Sequence, residues 1–191
     1  VTGIEGTQTE KNVLAAFAGE SQARNRYTFF ASVARKEGYE QIAAIFADTA
    51  ANEKEHAEVF FKLLEGGEVE IVAAYPAGVI GDTAANLEAA ADGERYEWGV
   101  LYREFAETAR REGLGRAATA FTEISEVEKE HEKRYRRLLE NVRAGRVFQR
   151  DAVVRWRCRN CGYVHEGKAA PKVCPACAHP QAYYELLAEN Y

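Results

Sequence analysis

The chain has 191 residues, with 25 lysines and arginines against 30 aspartates and glutamates and a formal net charge of -5. A 47% hydrophobic and 29% charged composition suits a soluble protein with one sizeable core, or one core plus a small metal-stapled module. The acidic balance disfavours nucleic acid as a partner, and no apolar run reaches the ~18 residues that a membrane helix needs.

Residues 1–12 are polar and lack the apolar stretch of a secretion signal. Thr7-Gln8-Thr9-Glu10 reads as a capping box that starts a first helix, expected to run to about Lys36 and stop at Gly38. A second helix is expected from about Tyr39 to Leu64, ending at Gly66-Gly67. Residues 68–81 contain β-branched residues, Pro76 and small breaks, and read as a long crossover. Asp82 or Thr83 caps a third helix that ends near Gly113; a fourth runs from about Leu114 to Arg143 and ends at Gly145. A single long connection between helices two and three is the topology of ferritin-like bundles.

The two helical halves repeat. Ala34-Arg35-Lys36-Glu37-Gly38 matches Ala109-Arg110-Arg111-Glu112-Gly113 at an offset of 75, as do Tyr27 and Tyr102, Phe46 and Phe121, and Glu53/His56 and Glu128/His131. Gly19-Glu20 and Gly93-Glu94 match at 74, so the second half carries one extra residue between Glu94 and Tyr102. An extra residue inside a helix is most easily absorbed as a single-turn π-bulge, and Glu97 lies in that stretch.

Glu and His three residues apart share a helix face. Glu20, Glu53/His56, Glu94 with Glu97, and Glu128/His131 therefore supply six carboxylates and two imidazoles to one bundle interior. Burying that many glutamates without cations costs many kcal/mol or forces protonation. The oxygen-rich set with two histidines suits iron or manganese better than zinc. Glu55, Glu126, Glu130 and Glu132 read instead as solvated faces. Tyr27 and Tyr102 return to the inward face, either to hydrogen-bond a ligating carboxylate or as core tyrosines bonded elsewhere. The phenylalanines at 17, 30, 46, 60, 105 and 121 read as packing.

From Val153 the pattern changes to short segments around two knuckles, Cys158-Arg-Asn-Cys161 and Cys174-Pro-Ala-Cys177. Their spacing makes a tetrathiolate site for zinc or iron, which also staples a module too small to fold alone. His165 and His179 read as loop residues, because four thiolates fill a tetrahedron. Cysteines confined to such pairs favour metal over disulfides, and the expected compartment is the cytoplasm.

The ordered set Gly19-Glu20-Ser21-Gln22-Ala23-Arg24-Asn25-Arg26-Tyr27, Glu53-x-x-His56, Gly93-Glu94-x-x-Glu97, Glu128-x-x-His131 and the two cysteine knuckles resembles the rubrerythrin family across nearly the whole chain. The resemblance implies a mainly α fold: a ferritin-like di-iron four-helix bundle (1–146), a linker (147–152), and a small β-rich, rubredoxin-like Fe(Cys)4 domain (153–191). It implies a peroxidase that reduces hydrogen peroxide to water in oxidative-stress defence. Glu20, Glu53, Glu94, Glu97, Glu128 and His131 would hold the diferric pair, with Glu97 exchanged for His56 on reduction. Cys158, Cys161, Cys174 and Cys177 would hold a mononuclear iron fed by a rubredoxin or an NAD(P)H-dependent reductase. The resemblance also implies a homodimer. The rival readings are a ferroxidase or other iron-handling protein, and a zinc-ribbon binding protein on a helical scaffold.

Overall fold

Helix α1 (Gln8–Lys36) starts where the Thr7 side chain accepts from the Glu10 backbone N–H at 3.0 Å. The capping box closes differently on its other side, since the Glu10 carboxylate takes the N–H of Gly6 rather than that of Thr7. The structure is a computed structural model that describes residues 3–190; the outermost residues of the expected domain bounds, 1–2 and 191, lie outside the described residues. At the far end of α1, Gly38 has a φ of +84°. The N–H of Tyr39 bonds the carbonyl of Ala34, and that of Gly38 bonds the carbonyl of Arg35. This left-handed cap satisfies the last carbonyls and turns the chain back, and Gly113 makes the same cap in the second half.

Helix α2 (Glu40–Phe61) ends earlier than the expected Leu64, because Lys62 to Leu64 tighten into turns bonded to Glu58, Phe60 and Phe61. Residues 68–82 carry no helix or strand, as expected for a crossover. The third long helix is α3 (Thr83–Tyr96), a π-helical turn (Glu97–Leu101) and α4 (Tyr102–Arg111) in unbroken succession. The extra residue inferred from the offsets is therefore a π-turn, at the place where the repeat is broken. Helix α5 (Gly115–Arg143) completes the bundle. Helix α1 packs chiefly on α2, and α3 and α4 pack on α5.

The bundle interior is layered. One apolar cluster holds Tyr27, Phe30, Phe46, Leu87, Tyr135 and Leu139; another holds Val13, Phe60, Tyr102, Ala106, Phe121 and Ile124. Glu20 on α1, Glu53 on α2, Glu94 on α3 and Glu128 on α5 are buried in the same interior, carboxylates at inward positions that elsewhere hold apolar groups. On α2 the inward positions are Thr49, Glu53, His56 and Phe60, at the three-to-four spacing of one face.

The C-terminal module is a three-stranded antiparallel sheet in the order β2 (Val164–Ala169), β1 (Gln149–Cys158), β3 (Tyr184–Leu186). Strand β1 begins at Gln149, so most of the segment read as a linker, 147–152, is strand, its register shifted between Gln149 and Val154. Phe148 stacks on Tyr39 at 6.1 Å, which holds this segment against the start of α2.

Candidate metal centres

The bundle brings six of the seven predicted ligands, all but Glu97, into two overlapping groups of donors. In the first, Glu20, Glu53, His56 and Glu128 offer atoms within 4.8 Å of one another; in the second, Glu53, Glu94, Glu128 and His131 do the same. Glu53 and Glu128 belong to both. The repeat explains the arrangement: exchanging the halves turns Glu20 into Glu94, Glu53 into Glu128 and His56 into His131, so each group maps onto the other. Two shared carboxylates between two terminal sets make a site for a pair of cations.

The distances carry the same message. His56 Nδ1 lies 3.0 Å from Glu53 Oε2 and 2.9 Å from Glu128 Oε1, and His131 Nδ1 lies 2.8 Å from Glu128 Oε2 and 3.3 Å from Glu53 Oε1. Yet Glu20 Oε2, Glu53 Oε1, Glu94 Oε2, both Glu128 oxygens and His131 Nδ1 are buried without a hydrogen-bond partner. Lone pairs that converge without satisfying one another are what a metal's coordination shell requires. With four carboxylates and two imidazoles in the converging set, the donors fit a pair of iron ions.

Without such cations the cage competes for protons. Burial, then the charges of Glu128 and Glu53, push the Glu20 carboxyl well above the carboxylate range. Burial, Glu53 and Glu128 do the same to Glu94. Burial would lower both imidazoles, but the Glu128 and Glu53 carboxylates facing them outweigh it and raise His56 to about 10 and His131 to about 12. Burial would raise Glu53, but bonds from His131 and His56 hold it down at about 2.

The tyrosines cross between halves. Tyr27 donates to Glu94 Oε1 at 2.6 Å, and Tyr102 donates to Glu20 Oε1. Each hydroxyl thus orients a carboxylate of the opposite half.

Glu97 is in neither donor group. It is half-buried on the π-turn and lines a cleft of about 1160 Å³ between α1, the π-turn and the crossover, together with Gln22, Arg26 and Tyr102. The structure therefore seats His56, and not Glu97, among the converging donors. Like charge accounts for it: burial and the charges of Glu94, Glu128 and Glu53 all press on the Glu97 carboxylate, and an imidazole adds no negative charge.

Of the glutamates read as solvated, Glu55, Glu126 and Glu130 are exposed. Glu132 is not: it accepts from Trp98 Nε1 at 2.8 Å and so ties the π-turn to α5. The sequence reading also missed Tyr135, buried edge-on to Tyr27 at 5.5 Å. The repeat held its signal, since Tyr135 stands where the first half has Phe60. Gln22 and Arg26 were visible as an i, i+4 pair in the first motif, but only the crossover shows that they share a cleft with Glu97.

In the C-terminal module Cys158, Cys161, Cys174 and Cys177 all lie within 4.8 Å of one another. Cys158 Sγ is 3.8 Å from Cys177 Sγ and Cys161 Sγ is 3.7 Å from Cys174 Sγ. Metal–sulfur bonds of about 2.3 Å in a tetrahedron give edges of about 3.8 Å, whereas a disulfide would bring sulfurs to about 2 Å. The four thiols fit one tetrahedral ion.

The bundle, residues 11–139, matches the rubrerythrin profile, and residues 156–185 match that of the rubrerythrin rubredoxin-like domain. The chain belongs to the rubrerythrin family. The rubrerythrin of Porphyromonas gingivalis is 62% identical over 98% of this chain and 94% of its own length. That of Nitratidesulfovibrio vulgaris is 56% identical over 98% of both. Among solved structures, the fully reduced, all-ferrous state of nigerythrin aligns with a TM-score of 0.61 at 32% identity, over 97% of this chain and 92% of that one. As a rubrerythrin with both donor clusters, the chain is a non-haem di-iron peroxidase, and its cofactors are iron in the bundle and iron in the tetrathiolate module. Among the described residues no helix is long and apolar enough to cross a membrane.

Proposed function

We propose that this rubrerythrin reduces hydrogen peroxide to water at the bundle site, with electrons arriving one at a time through the tetrathiolate module from a rubredoxin or an NAD(P)H-dependent reductase. Two donor groups sharing Glu53 and Glu128, in one chain with four convergent thiols, carry the reading. Reduced iron in the bundle supplies the electron pair that splits the O–O bond. The protein's part is to hold, orient and protonate. Glu20, Glu53, His56, Glu94, Glu128 and His131 hold the cations, with Glu53 and Glu128 between them. Tyr27 and Tyr102 fix the oxygens of Glu94 and Glu20, so that these carboxylates do not rotate as charge changes.

Glu97 is assigned two tasks. In the cleft it stands beside the route from solvent and holds a proton readily, because burial and neighbouring carboxylates raise its carboxyl. With cations bound, Glu97 would be the residue to replace His56 as a donor once their charge rose, since an added carboxylate would then be favourable. Residues 1–146 are assigned to the bundle and 153–191 to the electron-transfer module. A cytoplasmic homodimer completes the reading.

Metal analysis with a visible spectrum, followed by anaerobic titration of the reduced protein with peroxide, tests it. Iron in both sites and stoichiometric reoxidation support the peroxidase; a colourless zinc protein, or reoxidation by dioxygen but not peroxide, overturns it. Glu97→Ala is expected to load metal normally and lose peroxide turnover by at least about tenfold, as removal of a proton-transfer group does. Unchanged turnover would remove Glu97 from its role.

A further inference from the structure

The cleft beside Glu97 is far larger than hydrogen peroxide requires. Its volume of about 1160 Å³ exceeds the roughly 300–1,000 Å³ usual for small-molecule sites. One part of its wall is polar and belongs to the metal cage. Gly19 and Gly93 line it, so the backbone that carries Glu20 and Glu94 forms part of that wall, beside Arg26 and Glu97. Arg26 Nε is buried there with no hydrogen-bond partner, an N–H left over for an acceptor. The other part is apolar: Val69 and Ile71 from the crossover, Leu101 and Phe105 from the π-turn and α4. The extended crossover alternates, with Val69 and Ile71 half-buried and Val72 99% exposed. The Tyr75 hydroxyl donates to the Ala15 carbonyl at 2.7 Å and so fixes the crossover to α1.

We propose that this cleft admits organic hydroperoxides, ROOH, with the hydrocarbon group on the apolar wall and the hydroperoxy group between Arg26 and Glu97. The proposal rests on the peroxidase reading and names a second substrate class for the same site. A molecule made only of oxygen and hydrogen gains nothing from an apolar wall, whereas hydrocarbon that displaces water from it is stabilised. The Arg26 N–H supplies the donor that a peroxide oxygen accepts. In the reaction the O–O bond breaks, two electrons come from the reduced iron pair and two protons are taken up. The products are the alcohol ROH and water.

The test uses the full-length, iron-loaded protein and two measurements. In the first, the anaerobically reduced protein is mixed with cumene hydroperoxide or with hydrogen peroxide, and reoxidation of the iron is timed. Cumene hydroperoxide is expected to reoxidise it stoichiometrically and release cumyl alcohol. Ile71→Trp, which fills the apolar part, and Ile71→Ser, which strips it, are each expected to lower the ratio of the organic to the inorganic rate at least about tenfold, the worth of a few buried methylene groups. Val79→Trp, on the crossover outside this cleft, is expected to leave the ratio unchanged. In the second, the oxidised protein is titrated calorimetrically with cumyl alcohol, which keeps the hydrocarbon group and lacks the O–O bond. Binding with a negative heat-capacity change, weakened at least about tenfold in Ile71→Trp, is expected. No reoxidation by cumene hydroperoxide, no binding of the alcohol, or ratios that ignore Ile71 overturn the proposal while the reaction with hydrogen peroxide stands. Failure with hydrogen peroxide as well overturns both.

Discussion

At the residue scale the bundle site is a contest between protons and cations for the same lone pairs. His56 and His131 are raised to about 10 and about 12 in the folded chain, and Glu20, Glu94 and Glu97 are raised as well. Groups raised on folding contribute stability that is fully present below their unfolded values and is lost as pH rises through the folded ones. Glu53 works oppositely, but its contribution is lost only as pH falls towards about 2, far below the window concerned. Chelator-treated protein is therefore expected to melt at least about 3 °C higher at pH 6 than at pH 9, as followed by helical ellipticity. Metal must displace those protons, so metal affinity is expected to run the other way and strengthen with pH. Equal melting temperatures at the two pH values would show that the cage does not protonate as argued.

At the scale of elements, the π-turn is what makes the two halves unequal. It is anchored to α5 twice, by the Trp98 side chain, whose Nε1 donates to Glu132, and by the Trp98 carbonyl, which accepts from Ser125 Oγ at 3.3 Å. The extra residue lets Glu94 face the donors, Glu97 face the cleft and Tyr102 return to Glu20 within one helix. Deleting Gly99 would restore a plain α-helix, and each residue beyond the deletion would rotate by about 100° relative to Glu94. The deletion is expected to keep the circular dichroism of the bundle and to cost at least about tenfold in peroxide turnover. Wild-type turnover would mean that the inequality of the halves has no part in the chemistry. The π-turn was legible as a mismatch of 74 against 75, because an insertion leaves its count in the sequence. The early end of α2 was not, since Leu63 and Leu64 continue the apolar pattern and only their tertiary packing in the second core cluster shows them as turns.

At the scale of the molecule, two cores are stabilised by different means. The bundle buries two aromatic clusters, whereas the C-terminal sheet encloses only a small group around Trp156, which is fully buried with its Nε1 donating to the Gly167 carbonyl at 3.0 Å. A module of about 40 residues does not bury enough apolar surface to stand without its metal. Cys174→Ser is expected to expose Trp156 and shift its fluorescence to the red, while the helical signal of the bundle persists. Loss of both signals together would show that the modules fold as one unit. Their junction runs through residues 147–152, expected as a linker: Gln149 there pairs with Ala169 at the start of β1, and Phe148 stacks on Tyr39.

The sequence by itself determined the family, the bundle, the two donor sets, the thiolate spacing and the place of the broken repeat. All of these depend on residue identity at fixed helical or knuckle spacing, which local geometry converts directly into a shared face. Only the tertiary structure decided that His56 and not Glu97 stands among the converging donors, and that Tyr27 and Tyr102 bond carboxylates across the halves. Those outcomes turn on which long side chain wins a crowded buried space. That competition is settled by charges and partners far apart in the chain, and no local spacing records it.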